Sequence, residues 1–394
     1  MTLGRSGVAG PGIAAVVALL GGIASAEVRA WTNVHGRTFE AEFVRIDGAN
    51  AIFAFETGRT FSTPLADLSA ADRQNLSRVR SAPADVAPAP TNFGHAWPRE
   101  IRVDGASQSR VISEDAKKGR YVYESPNYRF TCDARLTSDV LRNFAMMFET
   151  THKYATAIPL SLHGAPRQGR LDVLLFESKA GYVRAGGIPG SAGCFVPSTG
   201  MVMVPMESLG LVRTSTGFSL DTSRRNKVLV HELAHQLTPR AYMQSSRNGW
   251  LIEGVAEYIA CTPYTWGYFR LDPHGNAALA YVTAYGEDRI SGRALGKKLQ
   301  APRLRHFLQM EYSDFAGAGA NFNYGFSLLL VHYFLHMVGG GRSMRITAYL
   351  KGLRAGKSGE EALAPLLGGG SYEKLEAEVA DAWKRKGIEI VFTR

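Results

Sequence analysis

His231-Glu232-Leu233-Ala234-His235 constrains this chain more than any other stretch. Residues four apart on a helix share a face, one turn over the other, so the two imidazoles can converge on a single point. A zinc ion takes nitrogen ligands at about 2.0–2.1 Å. Glu232 lies about 100° round the helix from His231, where it reaches a water on that ion without being a ligand. The flanks suit a helix, because Asp221, Thr222 and Ser223 offer N-caps and Pro239 stops the run. Val228, Leu229, Val230, Leu233, Ala234 and Leu237 spread apolar side chains over most of the circumference, which predicts a buried helix. Two histidines and a glutamate in such a helix need partners, and a metal ion supplies them.

A third ligand has to come from elsewhere. Asn248-Gly249 reads as a turn, and Trp250 to Ala260 as a second helix ended by Thr262-Pro263. Glu253 and Glu257 stand four apart on that helix and share a face. Glu253 is the ligand this spacing selects. Glu257 is placed to accept a proton from the free ring nitrogen of a ligand histidine.

The two segments resemble the gluzincin metallopeptidases, in which H-E-x-x-H is followed on the next helix by a glutamate ligand. Trp250-Leu251-x-Glu253-Gly254-x-Ala256-Glu257-Tyr258 is similar to the third-ligand segment of the aminopeptidase-N family, and closer to bacterial peptidase-MA-like proteins. Seventeen residues separate His235 from Glu253, one fewer than in the aminopeptidases, and Glu257 stands where many gluzincins carry aspartate. Neither departure removes a ligand. The resemblance implies an α+β, zincin-like catalytic domain whose active-site helices follow a mixed sheet and precede a helical C-terminal part.

The chemistry expected of this arrangement is hydrolysis of a peptide bond by zinc-activated water, with Glu232 as general base and Zn2+ as cofactor. The oxyanion needs a second donor. In the aminopeptidase-N family a tyrosine a comparable distance downstream plays this part, which points to Tyr324, 71 residues after Glu253, with His306 as the fallback. Gluzincins also present an edge strand to the substrate. By that resemblance Met201, Val202, Met203 and Val204 pair with an extended peptide through backbone hydrogen bonds. The Gly-x-Met-Glu-Asn segment with which aminopeptidases read a free amine is absent, the comparable stretch running from Gly200 to Glu207. Endopeptidase action is therefore expected over aminopeptidase action. The competing class is a non-catalytic zinc-binding scaffold of the cell envelope.

At 394 residues the chain has room for two or three domains, and its 45% hydrophobic and 20% charged content is that of a globular protein. Residues 1–26 read as a secretory signal: Arg5, an apolar centre from Ile13 to Leu20, and Ala24-Ser25-Ala26 as cleavage pattern. An exported protein, periplasmic or extracellular in a bacterium, is expected. Residues 27–80 carry an all-β pattern in which Phe39, Ala41 and Phe43 alternate with glutamates. Further strands are expected at Ile52 to Phe55 and Thr60 to Leu65, and a capping box at Ser69 and Asp72. Its Arg-x-Trp-Thr, Gly-Arg-Thr-Phe and Leu-Ala-Asp-Leu-Ser-x-x-Asp segments resemble a small Src-homology-3-like barrel domain of bacterial envelope proteins. Such a barrel implies a binding module for an envelope partner, or a spacer. Residues 81–98, rich in Ala and Pro, read as a linker, and 99–394 as the catalytic domain.

The net charge of +10 favours anionic surfaces or acidic substrates. No basic cluster is interleaved with stacking aromatics, so a nucleic-acid partner is not expected and a peptide or protein substrate is. Oligomeric state is left open. Cys132, Cys194 and Cys261 allow at most one internal disulfide, and without C-x-x-C spacing they do not form a structural zinc cluster. His332 and His336 are a second i, i+4 histidine pair. No glutamate stands beside His332 and the setting is a hydrophobic helix, so this pair reads as structural.

Overall fold

The computed structural model describes residues 29–393, except 48–49, 55–59, 82–90, 104–107, 165, 167–168, 198, 215–216, 221–226, 273 and 285–291. The signal segment, the N-cap positions 221–223, the Thr57-Gly58 turn and residues 82–90 of the linker lie outside the described residues. No described helix is long and apolar enough to cross a membrane.

Near the N-terminus, β1 (Arg29–Thr32), β2 (Thr38–Asp47), β3 (Asn50–Ala54) and β4 (Thr60–Pro64) form an antiparallel meander in chain order. Its alternating pattern turns Trp31, Ala41, Phe43, Ala51 and Phe53 into one small core with Leu68 and Leu76. The chain after β4 returns to β1: Ser69 N donates to the Thr32 carbonyl and Val34 N to that of Asp67. Asn33 and Leu68 form a single bridge between these segments. Ser69 caps α1 (Ala70–Ser81), its Oγ accepting from Asp72 N at 3.1 Å, and the Asp72 carboxylate accepts from Thr32 N at 2.8 Å. The Ser69 half of the predicted capping box forms, whereas the reciprocal bond does not: Ser69 N donates to the Thr32 carbonyl and the Asp72 carboxylate accepts from Thr32 N, which ties the helix to the sheet.

The predicted linker ends earlier than expected, because residues 91–98 dock on the larger body. Asn92 Nδ2 donates to the carbonyls of Thr156 and Ile158, and Asn92 Oδ1 accepts from Ser161 N.

The larger body begins with a six-stranded sheet of β5 (Arg110–Asp115), β6 (Arg120–Glu124), β7 (Tyr128–Cys132), β8 (Leu171–Phe176), β9 (Cys194–Val196) and β10 (Met201–Pro205). Its order is β9-β10-β8-β7-β6-β5. β8 runs parallel to β7 and to β10, and the other pairs are antiparallel. This order corrects one expectation. Met201, Val202, Met203 and Val204 are not at an edge, since β10 is paired with β9 on one side and β8 on the other. The two edge strands are Cys194–Val196, next to β10, and Arg110–Asp115 at the far side.

α2 (Ser138–Ala157) is capped by Thr137 and buries Val140, Phe144, Thr151 and Tyr154. Packed against it is α3 (Lys227–Leu237), which carries the two histidines. A 3-10 turn, Ser246–Asn248, leads into α4 (Gly249–Cys261), every residue of which is buried. Beyond it come α5 (His274–Thr283) and α6 (Ala320–His332), the latter continuing into a π-helical turn, Tyr333–Met337. α4 and α6 approach so closely that a Cβ on Gly254 would lie 2.7 Å from Val331 Cγ2 and 2.8 Å from the Ser327 carbonyl oxygen. Helices Met344–Arg354, Gly359–Leu367 and Tyr372–Lys384 follow, and the last strand, Glu389–Thr393, runs parallel to Lys298–Pro302. All three cysteines are buried free thiols.

Candidate metal centre

α3 and α4 bring their polar residues together in the middle of the larger core. His231 Nε2 lies 3.0 Å from His235 Nε2 and 3.1 Å from Glu253 Oε2, and His235 Nε2 lies 3.4 Å from the same oxygen. Three donor atoms spaced this closely from two helices match the two-nitrogen, one-oxygen set that zinc accepts while keeping a further position open. Each of the three residues is at most 3% exposed. Glu232 Oε2 accepts from Phe195 N at 2.9 Å, whereas Glu232 Oε1 is buried with no hydrogen-bond partner among the described residues. An unpartnered carboxylate oxygen costs folding energy unless something else is meant to meet it. The donor chemistry and this orphaned oxygen together fit a zinc site with an acid–base group beside it.

The electrostatics agree. Burial alone would lower the His231 pKa, yet the hydrogen bonds and charges of Glu253 and Glu257 outweigh it and raise the group to about 10. Burial pushes Glu253 the other way, but His235 and His231 hold it down at about 2. Two buried carboxylates thus demand positive charge between them, which a proton or a metal ion can provide. Glu232 is pushed above the usual carboxylate range, by burial first, with the two histidines partly offsetting it.

Around this core stands a layer of supporting contacts. Glu257 Oε1 lies 2.9 Å from His231 Nδ1, which orients the ring so that Nε2 faces the cluster. Glu257 is held in turn by the buried Arg293, whose Nε and Nη2 lie 3.0 and 2.5 Å from its two oxygens. Burial opposes ionisation of Glu257, but Arg293 and His231 keep it well below the usual range. Tyr312 donates its hydroxyl to Glu253 Oε1 at 2.8 Å, leaving Oε2 for the cluster. Arg293 and Tyr312 carry no motif, and sequence reading missed both.

Tyr324 is fully buried with its ring centroid 6.2 Å from that of His231 and 4.9 Å from the Arg293 guanidinium, and it interacts with Tyr312 through their side chains. Burial raises the pKa of both tyrosines well above the ordinary value, so both remain proton donors near neutral pH. His306 is exposed on the short helix Leu304–Phe307. Glu207 is half exposed and pairs with Lys179 at 3.9 Å. The strand amide that meets Glu232 belongs to none of Met201 to Val204 but to Phe195, on the neighbouring strand.

No family model and no curated protein matches this chain. Among solved structures it is similar to an M1 zinc metallopeptidase from Deinococcus radiodurans, at 16% identity and a TM-score of 0.36, over 72% of this chain and 52% of that one. The chain spans about half the length of that peptidase, and the likeness is too distant to define a family.

Proposed function

We propose that this chain is an exported zinc-dependent peptidase, with a zincin-like catalytic domain and internal cleavage of peptides as its activity. One observation carries the reading. His231 Nε2, His235 Nε2 and Glu253 Oε2 lie within 3.4 Å of one another, beside a buried glutamate oxygen that nothing among the described residues satisfies.

His231, His235 and Glu253 would hold the ion. Zinc, when bound, supplies Lewis acidity towards water and the scissile carbonyl. Glu232 takes a proton from the attacking water at Oε1 and returns it to the leaving amine, a role its raised pKa suits. Glu257 and Arg293 hold His231 in one orientation. The Tyr324 hydroxyl donates to the developing oxyanion. In this reading the peptide strand lies along the unpaired side of β9, next to the Phe195 amide that donates to Glu232. The small N-terminal sheet serves as a module for an envelope partner or as a spacer.

A second reading is favoured by the same burial. Glu232 is 1% exposed, with one oxygen already held by Phe195 N, as suits a zinc-binding scaffold without turnover. Glu232→Gln separates the two. Metal analysis paired with a peptide-library digest should find zinc retained and hydrolysis abolished in this variant. A wild-type protein that holds zinc and cleaves no library member would defeat the enzyme reading, and absence of zinc from it would defeat both.

A further inference from the structure

The His332/His336 pair does not stand alone. α5 brings in a third histidine, His274, and one ring nitrogen of each lies within 4.8 Å of the others. His274 and His332 are both buried, and their Nδ1 atoms are 3.2 Å apart. Two nitrogens about 2.0–2.1 Å from a tetrahedral ion are separated by about 3.3 Å, so the spacing, which also suits an N–H···N hydrogen bond, fits a shared ion. His231 and His235 show nearly the same figure.

The tautomer of His274 is settled by its neighbour. His274 Nε2 lies 2.9 Å from the Tyr258 carbonyl oxygen, which can only accept, so Nε2 carries the proton and Nδ1 presents its lone pair to His332. A backbone carbonyl on the far nitrogen is the usual outer support of a metal-bound histidine. Tyr258 also places its hydroxyl 2.7 Å from His336 Nε2, so one residue of α4 orients two of the three rings. His336 sits in the π-helical turn Tyr333–Met337, a rare conformation that recurs at functional sites.

Burial lowers the pKa of all three rings below the ordinary imidazole value. The exposed Lys386 acts on His332 and works against a cation there. Cys261 Sγ approaches His274 on its Nε2 side, away from the shared point, and is no ligand.

We infer that His274, His332 and His336 form a second metal site, which takes a divalent transition ion with a preference for imidazole, such as zinc. With no glutamate base beside it, its proposed role is to brace the helices rather than to hydrolyse, although three protein ligands are one fewer than a closed structural zinc site has. It pins α5 and α6 to the C-terminal end of α4, the helix that carries Glu253 and Glu257. Read alone, the i, i+4 pair lacked a partner because His274 is 58 residues away from His332 in sequence.

The test counts zinc on the full chain after chelator stripping and re-equilibration at buffered micromolar free zinc, using elemental mass spectrometry. About two ions per chain are expected in the wild type, about one in His336→Ala, about one in His231→Ala/Glu253→Ala, and almost none when these are combined. His336 is only partly buried, so its replacement should leave the fold intact by circular dichroism. His274→Ala is the second, independent variant. Replacing zinc by cobalt adds a visible spectrum that should lose one component in His336→Ala. The inference is overturned if wild type and His336→Ala bind the same number of ions. Loss of an ion in His336→Ala but not in His231→Ala/Glu253→Ala would leave this site standing and remove the proposed catalytic one.

Discussion

Arg293→Met is the substitution that most directly tests how the metal centre is held in place. The guanidinium is 9% exposed and Glu257 1%, and two hydrogen bonds of 3.0 and 2.5 Å join them. At such separations the Coulomb term is about 5.5–6.6 kcal/mol for an effective dielectric of about 20. Methionine keeps the packing volume but leaves Glu257 buried, with His231 Nδ1 and the Tyr281 side chain as its remaining partners. Breaking a buried pair from one side costs about 3–5 kcal/mol. These remaining contacts place the expected loss near 3 kcal/mol, roughly a hundredfold in the folding equilibrium. Guanidinium unfolding of the metal-free protein, followed by far-UV circular dichroism, measures it. Glu257→Gln strands the arginine and should be similarly harmful. The double variant removes both charges while keeping an acceptor for His231, and should recover about 2 kcal/mol or more relative to the sum of the singles. A loss below about 1 kcal/mol in Arg293→Met, or strictly additive losses in the double variant, would refute the reasoning.

Other substitutions probe separate contacts. Gly254→Ala would gain helix propensity but drive a methyl into Val331 and the Ser327 carbonyl, so a net loss of about 1–2 kcal/mol is expected, measured by chemical unfolding, with zinc bound more weakly because Glu253 is adjacent. Tyr312→Phe removes the hydroxyl that holds Glu253 Oε1, and zinc competition titration should show about 10–100-fold weaker binding. Tyr324→Phe should lower kcat by about 10²–10³-fold with metal content and KM little changed, and near-normal turnover would remove it from the oxyanion role. A chain starting at residue 91 should fold and bind zinc, because the small N-terminal core is separate, whereas one starting at Trp97 forfeits the Asn92 contacts and should melt at a lower temperature.

Much of this molecule follows from short-range pattern. The i, i+4 spacing of His231 and His235 puts both imidazoles on one face of any helix they occupy. The second helix, its stop at Thr262, and Glu257 four residues after Glu253 follow from the same 3.6-residue period. The N-cap at Ser69 and the alternation at Phe39, Ala41 and Phe43 are equally local, because each depends on atoms within a few residues. What tertiary structure alone decided lies beyond that reach. Met201 to Val204 is a strongly apolar strand, which suits an inner or an outer position alike. Only its parallel pairing with Leu171–Phe176, across an intervening helix and loop, made it internal and moved the edge to Cys194–Val196. Tyr312, Arg293 and His274 likewise reach their partners from 59, 36 and 58 residues away. No periodicity in the sequence marks them, because a hydrogen bond made across the core constrains where two helices meet and leaves the spacing of residues along either one untouched.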